Sequence, residues 1–400
     1  MHMMIPRRWL AILFLGATAL LWGGVAQAYV GLCCGKCGGN MPMNIPGGGV
    51  PETHEFRVKI MPMTMHMEGL RDGTASIDPD SLLGMPLMMG SPTGKYMAVP
   101  TSMDMHMLNV IAGYSFTDDL FGAVMLMGKR NRMPMRFNDM MQTLTGEEGF
   151  TMKSGGLADT MLMGKYRLFA DDPLIPSQQM SLLFALSLPT GSIDERNAEH
   201  PLAVRRQELQ PYGMQLGSGT FDPTLGLLYQ ASTSPWWWGM DARYTARLYD
   251  NKRGYRLGNE LLLDAYAMFQ FHPSWLVHAQ LNARHQGRIR GEMDEYADGS
   301  SGHVTAGDPD SPATTLLWET DNYGGAQLFT TLGLQWQPLP LHIVDFSVGL
   351  PLYRNLNGPQ LEEDYRLMLT WYVEFITKKS RRYGMTGQGA VTPGDSKLGF

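Results

Sequence analysis

Beyond residue 54 the chain consists of segments in which apolar and polar positions alternate. In EFRVKIMPMTMHM, Phe56, Val58 and Ile60 share one parity, and Arg57 and Lys59 share the other. Successive side chains of a strand point to opposite faces, so this alternation predicts a β-strand with one apolar face.

The same alternation recurs in about twelve segments, separated by turns that are alternately short and long. TDD, TSP and HPS are short connections, whereas 287–323 is a long polar one. An even number of such strands is typical of a bacterial outer-membrane barrel. The sequence therefore predicts an all-β fold, a single closed antiparallel transmembrane β-barrel of about twelve strands with short periplasmic turns and long outer loops.

A soluble periplasmic sandwich is the alternative for strands that alternate in this way. In WWWGMDARYTARL one face carries Trp236, Trp238 and Met240, and the other carries Asp241 and Arg243. Unpaired charges are costly in the dry core of a sandwich, but a hydrated lumen tolerates them. The pattern therefore favours the barrel.

The ends of the chain predict flanking segments. Arg7 and Arg8 precede an apolar run at 9–25, followed by the small residues of a cleavage site, so residues 1–28 are expected to be a signal peptide. Residues 29–53 are expected to form a tail rich in Cys, Gly and Pro. The barrel is expected at residues 54–375, followed by a polar tail at residues 376–400. The closing strand YRLMLTWYVEF ends in an aromatic residue and resembles the signal that the barrel-assembly machinery reads during insertion into outer-membrane lipid.

Composition and motifs exclude several functions. The chain has 32 methionines and a net charge of -6, with 18% charged residues, so nucleic acid is not an expected partner. Neither a phosphate loop, a zinc-protease motif nor a nucleophile elbow occurs. A barrel phospholipase needs Ser and His on the lipid face, whereas His278 is predicted to face the lumen. We therefore expect no enzyme activity.

Several segments resemble a known family. GGLADTMLMGKYRLF, LSLPTGS, QLGSGTFDPTLGLLY and YRLMLTWYVEF are similar to segments of the outer-membrane transporter family associated with the meta-pathway of phenol degradation. The resemblance implies a small outer-membrane channel that takes up aromatic or other small apolar compounds.

Methionines recur at a spacing of two in four predicted strands, and their parity places them opposite the lipid face. We expect them to form one wall of the lumen, mainly in its outer half. This wall comprises Met61, Met63, Met65, Met67, Met103, Met105, Met107, Met125, Met127, Met161 and Met163.

Two interpretations of this wall remain open. Thioethers are soft, neutral ligands, so the wall could form a path or sensing surface for a soft metal ion such as Cu(I). Further ligands could then come from Cys33, Cys34, Cys37, His66 and His106. Alternatively, methionine is a flexible apolar lining that suits a small-molecule substrate. The resemblance favours a channel for small solutes.

Charged residues of the lumen face are expected to pair across neighbouring strands, which would brace the barrel and narrow the pore. The tail at 29–53 could hang in the periplasm or enter the lumen as a plug. The predicted lumen charges are Arg57, Lys59, Lys165, Arg167, Asp241, Arg243, Arg247, Glu260, Asp264 and Arg284.

Overall fold

A computed structural model of the chain describes residues 41–85, 95–172, 176–339, 341–380 and 383. The predicted signal peptide lies outside these residues, as do Cys33, Cys34 and Cys37 and most of the carboxy-terminal tail. Within the described ranges, no helix is both long enough and apolar enough to span a membrane.

The described residues form mainly β-strands, with two short α-helices in the connections. The strands are β1 (Phe56–Gly73), β2 (Ala75–Ile77), β3 (Ala98–Pro100), β4 (Ser102–Ser115), β5 (Leu120–Phe137), β6 (Gly149–Leu157), β7 (Thr160–Ala170), β8 (Gln178–Leu188), β9 (Asp222–Thr233), β10 (Trp236–Thr245), β11 (Tyr255–Arg256), β12 (Glu260–His272), β13 (Trp275–Gln286), β14 (Arg290–Gly291), β15 (Gly325–Leu339) and β16 (His342–Phe375). The α-helices are α1 (Asp139–Thr145) and α2 (Asp294–Ala297), and 3₁₀ turns lie at Pro79–Leu82, Ala203–Arg205, Tyr212–Met214, Leu316–Trp318 and Thr320–Asn322.

The wall is one closed antiparallel sheet. Its hydrogen-bonded order is β16, β15, β13, β12, β10, β9, β8, β7, β5, β4 and β1, and β1 pairs with β16 to complete the circle. The shorter β2 pairs with β1, and β3 and β6 pair with the outer part of β5. Closure leaves no free edge among these wall strands, as a spanning sheet requires.

The element β16 crosses the wall twice. Its residues 342–356 pair with β15, whereas residues 356–375 pair with β1. These two halves of β16 lie side by side. A hydrogen bond of 3.0 Å from Glu374 N to Leu341 O joins the end of the second half to the residue that precedes the first. Ten elements that cross once and one that crosses twice give twelve crossings. The predicted all-β barrel of about twelve strands is confirmed.

The two faces of the wall differ as the alternation predicts. Outward side chains are apolar and exposed, for example Trp236 (50%) and Met240 (60%) on β10. Between them, Asp241 is buried on the inner face. The closed wall excludes the sandwich interpretation.

Apart from the tight reversal within β16 near Leu356, short connections lie at one end of the barrel and long ones at the other. Residues 234–235 join β9 to β10, and 273–274 join β12 to β13. At the opposite end, the loops 189–221 and 287–324 fold against each other over the mouth. These two loops are called the roof below. Bacterial barrels have their short turns in the periplasm, so the roof lies on the outer side.

Candidate functional site

The lower half of the lumen is filled by residues 41–50, which precede β1 and are called the plug. Met41, Met43 and Ile45 are at most 2% exposed. They pack against inward-facing residues, most of them near the periplasmic ends of the strands: Leu183, Leu228, Trp237, Tyr266, Met268, Leu276, Ile343 and Tyr372. Of the two positions left open for the tail, the structure places its residues 41–50 in the lumen.

Two cations at the base of β1 bind the plug backbone. The Nζ of Lys59 donates to the carbonyl oxygen of Met43 at 2.8 Å. The guanidinium of Arg57 donates to the carbonyl oxygens of Gly48 and Gly49. Both cations are at most 2% exposed. Charge-assisted hydrogen bonds of this kind are stronger than neutral ones, so the cations fix the path of the plug.

Two further contacts hold the plug against the barrel wall, a hydrogen-bonded side-chain pair and a close approach by a glycine. Asn44 and Gln280 exchange two hydrogen bonds of 3.1 and 2.9 Å. Gly49 has a φ of 68°, and a Cβ at this position would lie 2.7 Å from the ring of Tyr372. Both the backbone conformation and the lack of space require glycine here.

Above the plug, the methionines of β1 and β4 face each other across the hydrogen-bonded pair of strands. Directly opposed residues on one face of an antiparallel pair have Cβ atoms about 5 Å apart. The register therefore joins the two predicted methionine runs into one ladder. Its three pairs are Met63–Met107, Met65–Met105 and Met67–Met103.

A cavity of about 270 Å³, called the chamber, lies between the plug and the roof. Six methionines line it, together with leucines and a few polar groups at one side. Its lining residues are Met65, Met67, Met103, Met105, Met133, Pro211, Gly213, Met214, Arg284, Leu316, Leu317, Asn322, Tyr323, Gln327, Gln360, Leu361 and Glu363. A predominantly apolar cavity with a few placed polar groups is typical of a small-molecule site.

The other predicted methionines lie on the same inner wall but do not line the chamber. Met125 is directly opposite Met161. Met125 and Met163 pack against the buried cluster of Ile111, Phe121 and Ala123. The members of this group are Met61, Met63, Met107, Met125, Met127, Met161 and Met163.

The sequence did not predict several of the residues that line the chamber. Met214 belongs to a 3₁₀ turn in the roof and is 1% exposed. Leu316 and Leu317 also come from the roof. These loops have no alternation that could reveal which side chains turn inward. Met133 lies further along β5, in phase with Met125 and Met127.

The roof encloses a buried imidazole. The ring of His200 packs against Phe150 with a centroid distance of 4.6 Å and against Phe137 at 5.8 Å. Burial, with the positive charge of Arg205 nearby, lowers the pKa of His200 from 6.5 to about 4. Leu202 N donates to His200 Nδ1 at 3.1 Å, which fits the neutral ring.

The predicted lumen charges lie on the inner wall, and most form ion pairs between or along strands. Arg243 Nε is 2.6 Å from Asp241, and its other nitrogen contacts Asp264. Arg284 Nε is 2.6 Å from Glu260. The remaining contacts are Arg247 with Asp222, Arg167 with Asp119, Lys165 with Gln230 and the plug carbonyl of Gly47, and Arg57 and Lys59 with the plug.

A buried histidine and aspartate pair lies among these residues. His278 Nε2 is 2.8 Å from Asp345 Oδ2, and both side chains are fully buried. His278 Nδ1 is 3.2 Å from the amide of Gln280, which binds the plug. The predicted inward direction of His278 is therefore the observed one, and the contacts link the plug to the wall.

The two histidines within the methionine runs are bound to other partners. His66 Nδ1 is 2.7 Å from Asp104 Oδ1, and its ring stacks on Tyr365. His106 Nδ1 is 3.0 Å from the hydroxyl of Thr64. Both have the parity opposite to the methionine ladder and do not line the chamber. In the part of the chain that the structure describes, no three His, Cys, Asp or Glu side chains are grouped as a metal site.

Comparison with known proteins supports the fold. No curated protein matches the sequence. The model of the family described as "Putative MetA-pathway of phenol degradation" matches residues 114–310. An outer-membrane channel from Pseudomonas putida F1 is similar in structure, with a TM-score of 0.50 and 10% identity over 82% of this chain and 97% of that chain.

Two further solved structures have lower TM-scores. The transport unit of the autotransporter AIDA-I from Escherichia coli has a TM-score of 0.41 at 9% identity, over 84% of this chain and 93% of its own. A mutant of the monoaromatic hydrocarbon channel TodX has a TM-score of 0.42 at 8% identity, over 82% and 91%. The family model confirms the resemblance seen in the short motifs over residues 114–310. With its closed sheet, its apolar outer face and the fold that it shares with the Pseudomonas putida channel, the chain is a β-barrel protein of the bacterial outer membrane.

Proposed function

We propose that the protein is an outer-membrane channel for small apolar compounds, aromatic ones included, which it holds in the chamber. The observation that carries this proposal is the chamber itself, about 270 Å³ in volume and lined by six methionines and three leucines. An apolar cavity of about 150 Å³ is large enough for benzene, so the chamber has room for a molecule of one or two rings.

Methionine suits this role physically. Its unbranched thioether side chain adapts to ligands of different shape and makes favourable contacts with aromatic rings. The family match and the proposed substrate class agree, because phenol degradation acts on aromatic compounds. The plug fills the lumen below the chamber, so passage to the periplasm along the barrel axis requires the plug to move.

Naphthalene binding to the purified protein tests this function. The variant Met65→Asp/Met105→Asp introduces two charges into the chamber wall, and we expect it to bind naphthalene at least about tenfold more weakly, since charges in an apolar site require solvation. Thr64→Asp is the matched control, because it lies between two ladder positions on the opposite face. Unchanged binding by the double variant would contradict the proposal.

A second candidate function is the capture or passage of a soft cation such as Cu(I). The observation that favours it is the direct opposition of methionines in three consecutive pairs of β1 and β4. Apolar lining alone does not require one residue type at all six positions, and leucine would serve as well.

A further inference from the structure

The two uppermost pairs of the methionine ladder have the spacing of a ligand set. They are Met65–Met105 and Met67–Met103, and all four residues line the chamber. Opposed Cβ atoms are about 5 Å apart, and inward positions along one strand are about 7 Å apart. The centre of such a rectangle lies about 4 Å from each Cβ. Flexible thioether side chains can therefore bring four sulfurs towards one point.

The surroundings of these four residues supply further sulfur, and the two charged residues of the chamber lining, Arg284 and Glu363, are each paired within the wall; Arg284 Nε lies 2.6 Å from Glu260. Met133 and Met214 also line the chamber, and both are at most 3% exposed. The nearby carboxylate of Glu363 is held by Arg366, with N–O distances of 2.6 and 2.8 Å. Its charge is thus already compensated within the wall.

The chemistry of the donor set selects the class of ion. Thioethers are neutral and soft, so they bind monovalent soft cations such as Cu(I) and Ag(I). Hard cations such as Ca²⁺ and Mg²⁺ require oxygen ligands, usually with carboxylates. Zinc sites use Cys, His and carboxylate ligands, and no group of these residues is arranged as a metal site in the described ranges.

We propose that the chamber contains a binding site for one Cu(I) ion, or for Ag(I) in its place, formed by the thioethers of Met65, Met67, Met103 and Met105. This inference rests on the second candidate function and not on the binding of apolar solutes. The site lies above the plug and beneath the roof, so a bound ion is held within the outer half of the lumen.

Titration of the full protein with Ag(I) tests the site. All variants carry Ser at Cys33, Cys34 and Cys37, so that thiolates do not contribute. Met65→Leu/Met105→Leu then removes two sulfurs while nearly preserving apolar volume. We expect the Ser background to bind one equivalent of Ag(I), and the Leu variant to bind it at least about tenfold more weakly.

A matched control separates the site from general methionine binding. Met140→Leu/Met240→Leu also removes two sulfurs, from positions that are 36% and 60% exposed and lie outside the chamber. This control should bind Ag(I) as the Ser background does. X-ray absorption of the Cu(I)-loaded Ser background should show sulfur as the ligand.

The outcomes are distinguishable from those of the solute channel. Equal Ag(I) binding by Met65→Leu/Met105→Leu and its background, or no stoichiometric binding by the background, would overturn the site. Naphthalene binding is measured on the Ser background and on Met140→Leu/Met240→Leu, whose substitutions lie outside the chamber. If both bind Ag(I) and neither binds naphthalene, the result counts against the channel for apolar solutes and leaves the ion site standing.

Discussion

Met65 on β1 lies directly opposite Met105 on β4, and both side chains line the chamber. The pair therefore forms part of the chamber wall. The parity of the sequence predicted only that both side chains face the lumen. Leu316 and Leu317 come from the roof and contribute to the lining of the same space. The chamber thus depends on both the strands and the loops above them.

Filling the chamber should change its selectivity for size. In Met105→Trp the larger side chain occupies part of the volume, so we expect naphthalene to bind about tenfold more weakly and benzene to be affected less. Calorimetric titration of both solutes into the parent and the variant checks this. A uniform loss for both solutes would indicate general disruption of the site.

Releasing the plug should open the lumen to ions. A variant lacking residues 41–50 leaves Arg57 and Lys59 without the carbonyls that they bind in the parent. We expect a wider and hydrated lower lumen, and a several-fold higher single-channel conductance in planar bilayers. A conductance equal to that of the parent would show that the plug does not limit the pore.

A single substitution in the plug should also open the lumen to ions, although less completely than the deletion does. Gly49→Val places a β-branched residue at a φ of 68°, where its Cβ would lie 2.7 Å from Tyr372. We expect the plug to be dislodged and frequent open events in bilayer recordings. Gly128→Ala is the control, because its φ is ordinary and the nearest atom to the new Cβ is 3.9 Å away.

The buried pair of His278 and Asp345 should be costly to break. His278→Leu leaves the carboxylate of Asp345 buried without its partner, and we expect a loss of about 3 kcal/mol in the free energy of unfolding. The double variant His278→Leu/Asp345→Leu should recover much of this loss. Urea unfolding in detergent micelles, followed by tryptophan fluorescence, provides the comparison.

Acid should loosen the roof. His200 has a pKa of about 4 in the folded protein and an ordinary value of 6.5. The opened roof therefore binds a proton more readily than the closed one, so closure loses stability as pH falls from about 6.5 to 4, by about 3 kcal/mol at most. Proteolytic cleavage within 189–221 should be faster at pH 5 than at pH 7, whereas His200→Gln should remove most of this difference.

The sequence predicted the features that follow from alternation. Strands with an apolar outer face, the inward direction of Met65 and Met105, and the placement of Arg243 near Asp241 all follow from the period of two. The register between neighbouring strands could not be derived from this period. The opposition of Met65 and Met105 depends on hydrogen bonding between two strands that are 28 residues apart along the chain, from 74 to 101.

Alternation also could not predict where the residues of the roof and the plug lie, for a different physical reason. Met214 and Leu316 lie in loops without periodicity, and each is buried against strand residues that are distant in sequence, Met103 and Met133 for Met214 and Leu70 and Val99 for Leu316. The position of Met43 depends on the lumen side chains that surround it, which exist as a surface only after the barrel has closed.

The most direct test of the chamber as a site for aromatic compounds is a crystal structure of the protein with bound iodobenzene, in which the iodine is located by its anomalous scattering. Binding in the chamber predicts an iodine peak between the Met65–Met105 pair and Leu316. Peaks found only on the lipid-facing surface, with the chamber free of iodine at saturating iodobenzene, would contradict it.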